Sequence, residues 1–306
     1  HRELADNLNV CTASTITWQR ERWTTPDADF VDVDWVNKDR ADAPLLVLFH
    51  GLEGSSNSHY AKAFAAQAHQ RGWRLALPHF RGCGSDINLA PRAYHSGDHE
   101  EIDWILKRCH RQHSGPLTAA GVSLGGNALL RWAEEAGEAA SASVSAVAAV
   151  SSPIDLTACG HAIRRGFNQL VYTRMFMNSL RPKALSKLRQ FPGLFSREKM
   201  LAARDLWEFD NLYTAPVHGF RNADDYWLHA SARPHLHRIR VPALVLNACN
   251  DPFVPAASLP RASEVGRHVT LWQPARGGHT GFVTGPFPGR LVDTPSRVLH
   301  WLHTRA

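Results

Sequence analysis

The 306 residues carry a formal net charge of +6, with 44% hydrophobic and 20% charged side chains, which excludes a disordered chain and suits a soluble globular protein with a sizeable core. No run of about 18 uncharged apolar residues occurs, so a membrane-spanning helix is not expected, and the opening His1-Arg2-Glu3-Leu4-Ala5-Asp6 is no signal peptide. No block of Lys and Arg appears and bases mix with acids over the chain as a whole, which argues against nucleic acid as a partner.

In chain order, Phe30 to Val36 alternates apolar and acidic residues and predicts an antiparallel strand with one wet face near a sheet edge. Pro44 to Phe49, Trp73 to Leu77, Leu117 to Val122, Ser145 to Val150 and Ala243 to Leu246 are short apolar runs bounded by breakers, suited to parallel strands buried on both faces. Helical patterns lie between them at Tyr60 to Gln70, Asp98 to His110 and Leu124 to Ala136. Strand, helix, strand in succession predicts an open α/β sheet with right-handed crossovers. The alternation stops over residues 155–235, which predicts an inserted helical cap on a core formed by residues 1–154 and 236–306. Within it Ile163, Phe167, Leu170 and Val171 share one helical face. That face reads first as packing on the sheet domain, and second as a contact with lipid, its arginines on headgroups.

Gly121-Val122-Ser123-Leu124-Gly125 closes the third apolar run and opens a helix. A nucleophile elbow needs that placement, because a sharp turn leaves no room for Cβ atoms at Gly121, Gly125 and Gly126. The helix beginning at Leu124 offers free N–H groups and the positive end of its dipole to an oxyanion. Serine needs a base held by an acid. Ala243 to Leu246 runs into Asp251, and a further strand-like run, His268 to Trp272, runs into His279, in the order this chemistry takes on such a sheet. Asp155 is the competing acid, equally suited to a helix N-cap, and Asp251 is preferred. A second oxyanion donor is expected from Leu52 in His50-Gly51-Leu52-Glu53-Gly54, alongside Leu124, with Gly51 freeing the backbone and His50 shaping the loop.

Phe167, Leu170, Met175, Phe176 and Met177 of the cap are expected to line or cover an acyl pocket. The histidine pairs His95/His99 and His235/His237 bring no third ligand at a recognised spacing, so no metal is expected. No Gly-rich nucleotide-phosphate motif occurs, and no cofactor is implied. Cys11, Cys83, Cys109, Cys159 and Cys249 show no paired spacing, which predicts reduced thiols and a cytoplasmic setting.

Beyond the elbow, the blocks Phe30-Val31-Asp32-Val33-Asp34-Trp35, His50-Gly51-Leu52-Glu53-Gly54-Ser55-Ser56, Phe80-Arg81-Gly82-Cys83-Gly84, Tyr94-His95-Ser96-Gly97, Glu208-Phe209-Asp210, Thr214 to Phe220, Asp251-Pro252-Phe253 and Gly277 to Phe282 resemble the AB-hydrolase 4 (YheT-like) family of α/β-hydrolases. The resemblance implies an α/β-hydrolase fold and a serine hydrolase with Ser123, Asp251 and His279 as its triad. It also implies medium- or long-chain acyl esters as substrates, with acyl transfer to an alcohol as the nearest alternative. A non-catalytic lipid-binding protein on the same fold is the alternative from another class, together with transient contact with a lipid surface. Eukaryotic relatives often carry an N-terminal membrane anchor, which this sequence does not display, and that sets the expectation of a soluble enzyme of bacterial type.

Overall fold

The computed structural model describes residues 16–284 and 291–305. One eight-stranded sheet runs in the order β1-β2-β4-β3-β5-β6-β7-β8. Its strands are β1 (Gln19–Thr24), β2 (Phe30–Val36), β3 (Leu45–Phe49), β4 (Arg74–Pro78), β5 (Leu117–Val122), β6 (Ala146–Val150), β7 (Ala243–Leu246) and β8 (Val269–Trp272). Strands β3 to β8 are mutually parallel, whereas β2 pairs antiparallel with β1 and with β4. Among the described residues the helices of eight or more residues are α1 (His59–Gln70), α2 (His99–Arg111), α3 (Leu124–Ala136), α4 (Leu156–Ile163), α5 (Arg174–Gln190), α6 (Ala223–Ala230) and α7 (Asp293–His303).

The two-residue period of a strand divides the core. Leu45, Val47 and Phe49 with Val147, Ala149, Ala243 and Val245 face one side, where Ile102 and Leu106 of α2 and Leu129 and Trp132 of α3 cover them. Leu46, Leu48, Ala120, Val122, Leu244 and Leu246 face the other, under Phe64 and Ala68 of α1 and Val298 and Leu302 of α7. Every residue of β3, β4, β5, β6 and β7 is buried, as helices on both faces of a parallel sheet require. At about 1.5–3 kcal/mol for each large apolar side chain withdrawn from water, these two layers fix the strand order, and with it the spacing of the loops at the strands' C-terminal ends.

Strand β2 departs from the expectation of one wet face: Asp32 and Asp34 are buried. The cause is β1, whose Arg20 and Arg22 stand directly across the ladder from Asp34 and Asp32. Arg20 Nε and Nη2 donate to the two carboxylate oxygens of Asp34 at 2.7 Å each, and Arg22 forks onto Asp32 at 2.7 and 3.0 Å. The acidic face of β2 is therefore dry and charge-paired, and β1 forms the edge. Arg81, from the Phe80-Arg81-Gly82-Cys83 block, likewise donates to Asp27 and Asp29 at 2.7 and 2.9 Å and pairs with Glu101.

Between β6 and β7 all described elements are helical. Their apolar side chains form a separate cluster that includes Met177, Leu180, Met200, Phe209 and Tyr213. No described helix is long and apolar enough to cross a membrane. Cys83, Cys109, Cys159 and Cys249 are free thiols, and Cys11 lies outside the described residues.

Candidate active site

Four loops at the C-terminal ends of parallel strands converge. Ser123 follows β5 directly, with φ 54° and ψ −123°, a conformation that a non-glycine residue holds only when its surroundings enforce it. Its N–H donates to the Val150 carbonyl at 2.8 Å, and its own carbonyl accepts from Gly126 and Asn127 at 3.0 and 3.2 Å. A Cβ at Gly125 would strike the Phe49 and His50 carbonyls, and one at Gly121 would strike the backbone of Gly125 and Gly126. Glycine at those positions is a steric requirement of the turn.

His279 Nε2 lies 2.9 Å from Ser123 Oγ, and its Nδ1 lies 2.8 Å from Asp251 Oδ2. The other Asp251 oxygen accepts from the Phe253 and Val254 N–H groups at 2.8 and 3.3 Å. The carboxylate is thus aimed by backbone before it aims the imidazole. Asn250 Oδ1 accepts from Gly277 and Gly278 N–H at 2.8 and 3.0 Å, tying the His279 loop to the Asp251 loop, and Phe253 packs edge-on to the His279 ring at 4.4 Å. The competing acid, Asp155, is the N-cap of α4, accepting from Ala158 N–H at 3.0 Å and pairing with Arg233, and takes no part in this chain of contacts.

In the turn after β3, Gly51 N–H donates to Tyr60 Oη at 2.8 Å, Glu53 N–H to Tyr94 Oη at 2.9 Å, and Gly54 N–H to the Gly51 carbonyl at 2.9 Å. Leu52 carries the uncommitted N–H of the four among the described residues, and Leu124, first in α3, has no intrahelical acceptor. Both line the cavity beside Ser123. His50 is fully buried: Nε2 accepts from Phe80 N–H at 3.0 Å, so the ring proton sits on Nδ1, 2.7 Å from the Gly51 carbonyl. Burial pushes its pKa down to about 3, so the ring is neutral and holds the loop.

Ser123 and His279 open onto a cavity of about 170 Å³, whose cap side presents Leu156, Ile163, Phe176, Leu180, Phe209 and Trp227. Of the five cap residues expected to line or cover a pocket, Phe176 does line it, and Met177 is buried instead within the cap's own cluster. Phe167, Leu170 and Met175 are 69%, 64% and 53% exposed, because the chain over 166–175 turns that side of the helix outward. The polar end of the cavity holds Lys183 of α5, 2.8 Å from Glu53.

The Tyr94-His95-Ser96-Gly97 block ties the turn after β3 to the helices between β6 and β7. Tyr94 Oη donates to Glu53 at 2.9 Å, Ser96 N–H donates to Tyr226 Oη at 2.9 Å, and Asn127 of the elbow helix donates to the Ser96 and Ala230 carbonyls at 2.9 and 2.8 Å. His95 packs on His218, Phe220 and Tyr226. Tyr94 belongs to a block whose place in the sequence suggests a loop beside the pocket, whereas Glu53, Asn127, Asn250 and Lys183 do not read as supports from the sequence. A polar residue at a fixed offset from an elbow or catalytic loop is the signal that could have marked Asn127 and Asn250.

The sequence profile of the α/β-hydrolase fold family matches residues 44–286. The chain is 38% identical over 94% of its length to "Putative esterase YheT" of Escherichia coli, covering 84% of that protein, and 28% identical over 89% of its length to the mouse protein named phospholipase ABHD3, covering 68% of it. A solved esterase of Pyrococcus furiosus superposes with a TM-score of 0.59 at 16% identity, covering 97% of this chain and 96% of that one, a likeness of fold. A strained serine beside a histidine and an aspartate, on a parallel sheet with helices on both faces, defines the class: the molecule is an α/β hydrolase. Within that class the chain belongs to the YheT-like AB-hydrolase 4 family.

Proposed function

We propose that the protein is a serine carboxylic-ester hydrolase acting on medium- or long-chain acyl esters through an acyl-enzyme. The observation that carries this reading is the unbroken contact chain from Ser123 Oγ through His279 to Asp251, at 2.9 and 2.8 Å, opening onto an apolar cavity. His279 Nε2 takes the Ser123 proton as Oγ attacks the acyl carbonyl, and the charge that develops on the carbonyl oxygen is held by the Leu52 and Leu124 N–H groups. Asp251 fixes the Nδ1–H tautomer and stabilises the imidazolium. His279 then returns the proton to the departing alcohol, and water, deprotonated by the same ring, releases the acid.

The apolar cap residues around the cavity support an acyl chain as the bound half of the substrate. The names of the relatives, an esterase and a phospholipase, favour the same bond type. The test is turnover of a series of p-nitrophenyl esters by the native chain and by Ser123→Ala. The native chain should hydrolyse the esters with a preference for medium or long acyl chains, and Ser123→Ala should lose at least about 10⁴-fold in kcat with an unchanged melting temperature. Activity surviving in that variant overturns the assignment.

A further inference from the structure

The stretch from Gly166 through a π-helical turn (Gln169–Thr173) into α5 exposes Phe167, Leu170, Val171 and Met175 by 69%, 64%, 41% and 53%. Large apolar side chains crowded on one outward helical side mark a binding surface rather than chance exposure. The opposite side of the same stretch is anchored beside the catalytic residues. Asn168 Nδ2 donates to the Pro252 carbonyl at 2.7 Å, next to Asp251, and Tyr172 packs edge-on to Phe253 at 4.5 Å, which in turn packs on His279 at 4.4 Å. Ile163 and Phe176, which flank the stretch in sequence, both line the cavity.

Charge is distributed to match. Between Asp155 and Glu198 there is no acidic residue, while eight are Lys or Arg. The segment's +8 exceeds the +6 of the whole chain, so the remainder is net acidic and the mixing of bases with acids fails here. Arg165 and Arg174 bracket the apolar side, both exposed and with no carboxylate partner among the described residues. Apolar side chains between unpaired arginines fit an anionic lipid surface, with the former in the acyl boundary and the latter on headgroups. A second copy docked symmetrically on this side would instead bring two cationic segments together.

We infer that the side formed by Arg165, Phe167, Leu170, Val171, Arg174 and Met175 docks onto an anionic lipid surface and holds the cavity mouth against it, so that an acyl chain passes from the surface to Ser123. The inference rests on the ester-hydrolase reading only for what the docked enzyme then does.

The test is flotation of the full chain, as Ser123→Ala to avoid turnover, with vesicles of phosphatidylcholine alone and of phosphatidylcholine with phosphatidylglycerol. The protein should float with the anionic vesicles, and less so as salt is raised. Arg165→Gln/Arg174→Gln and Phe167→Ser/Leu170→Ser/Met175→Ser should each weaken that binding by about tenfold or more. On the native Ser123 background both variants should keep their turnover of a water-soluble short-chain ester, which shows that they fold. Failure of the parent to float at low salt, flotation of either variant like the parent, or a dimer that these substitutions dissolve would overturn the docking. Anion-selective flotation without any ester turnover by the native chain would support the docking and sink the hydrolase reading.

Discussion

Arginine serves two ends in this molecule. At the sheet's edge, Arg20 and Arg22 of β1 each meet a buried aspartate of β2 at 2.7 Å, and Arg20 sits 3.3 Å from His79, itself 2.8 Å from Asp34. In the cap, Arg165 and Arg174 stand exposed beside bare apolar side chains with no acid on their segment. The edge cations are spent on closing the fold: each offsets the cost of burying a carboxylate, and its removal would leave that charge unpaired. Arg165 and Arg174 have no carboxylate partner among the described residues, whereas Arg164 and Lys183 of the same segment pair with Asp205 and Glu53. Charge that is matched internally is architecture, and charge left unmatched beside exposed apolar surface points outward to a partner.

The candidate active site stands on neither region: its loops follow β3, β5, β7 and β8, which the two apolar layers hold in place, so the largest effects belong to the sheet's C-terminal loops. Asp251→Asn should leave the fold intact and lower kcat by about 10³- to 10⁴-fold, because an amide cannot select the Nδ1–H tautomer of His279, as measured with a soluble ester. Gly125→Ala should cost at least about 3 kcal/mol in denaturant unfolding, since a Cβ there meets two carbonyls that the core holds in place. At the edge, Asp34→Ala should cost about 2–3 kcal/mol and no more, because Arg20 is 40% exposed and can turn to water while His79 cannot. A cost near zero would erase the contrast between the two arginine regions.

The most gradual effect, smallest per unit of change, is a slope with pH. His50 and His95 are neutral in the fold, each pushed by burial from 6.5 to about 3. A base with a depressed folded pKa contributes stability that is present above its unfolded value and lost as pH falls. Each should therefore remove about 1.4 kcal/mol per pH unit between pH 6.5 and about 3. His50→Asn should flatten that slope by one proton's worth in unfolding titrations across the window, whatever its cost at neutral pH. Asp32 and Asp34, held below the usual carboxylate range by their arginines against the opposing effect of burial, add a further loss at the acid end of the same window.

The sequence was most readable where one force acts alone. Strands β3 to β7 are nearly unbroken apolar runs, because both faces are dry, and Gly121, Ser123 and Gly125 occupy a turn that sterics nearly dictate. Strand β1 was invisible because Gln-Arg-Glu-Arg-Trp-Thr owes its place to pairing with a partner strand rather than to its own pattern. The acids of β2 looked wet for the same reason: periodicity records alternation but not what lies across the ladder. In the cap, Ile163 is buried while Phe167, Leu170 and Val171 on its predicted face point out, since the helix ends at Arg164 and a new one starts at Gly166, whose φ is 55°. A helical face is conserved only as long as the helix is.

The most direct test of the central claim, that His279 and Asp251 activate Ser123, is labelling of the native chain and of His279→Ala with a fluorophosphonate, followed by mass mapping of the modified residue. The account predicts an adduct on Ser123 in the native chain that is lost in the variant. An adduct on another residue, or one on Ser123 that forms equally well without His279, would contradict it.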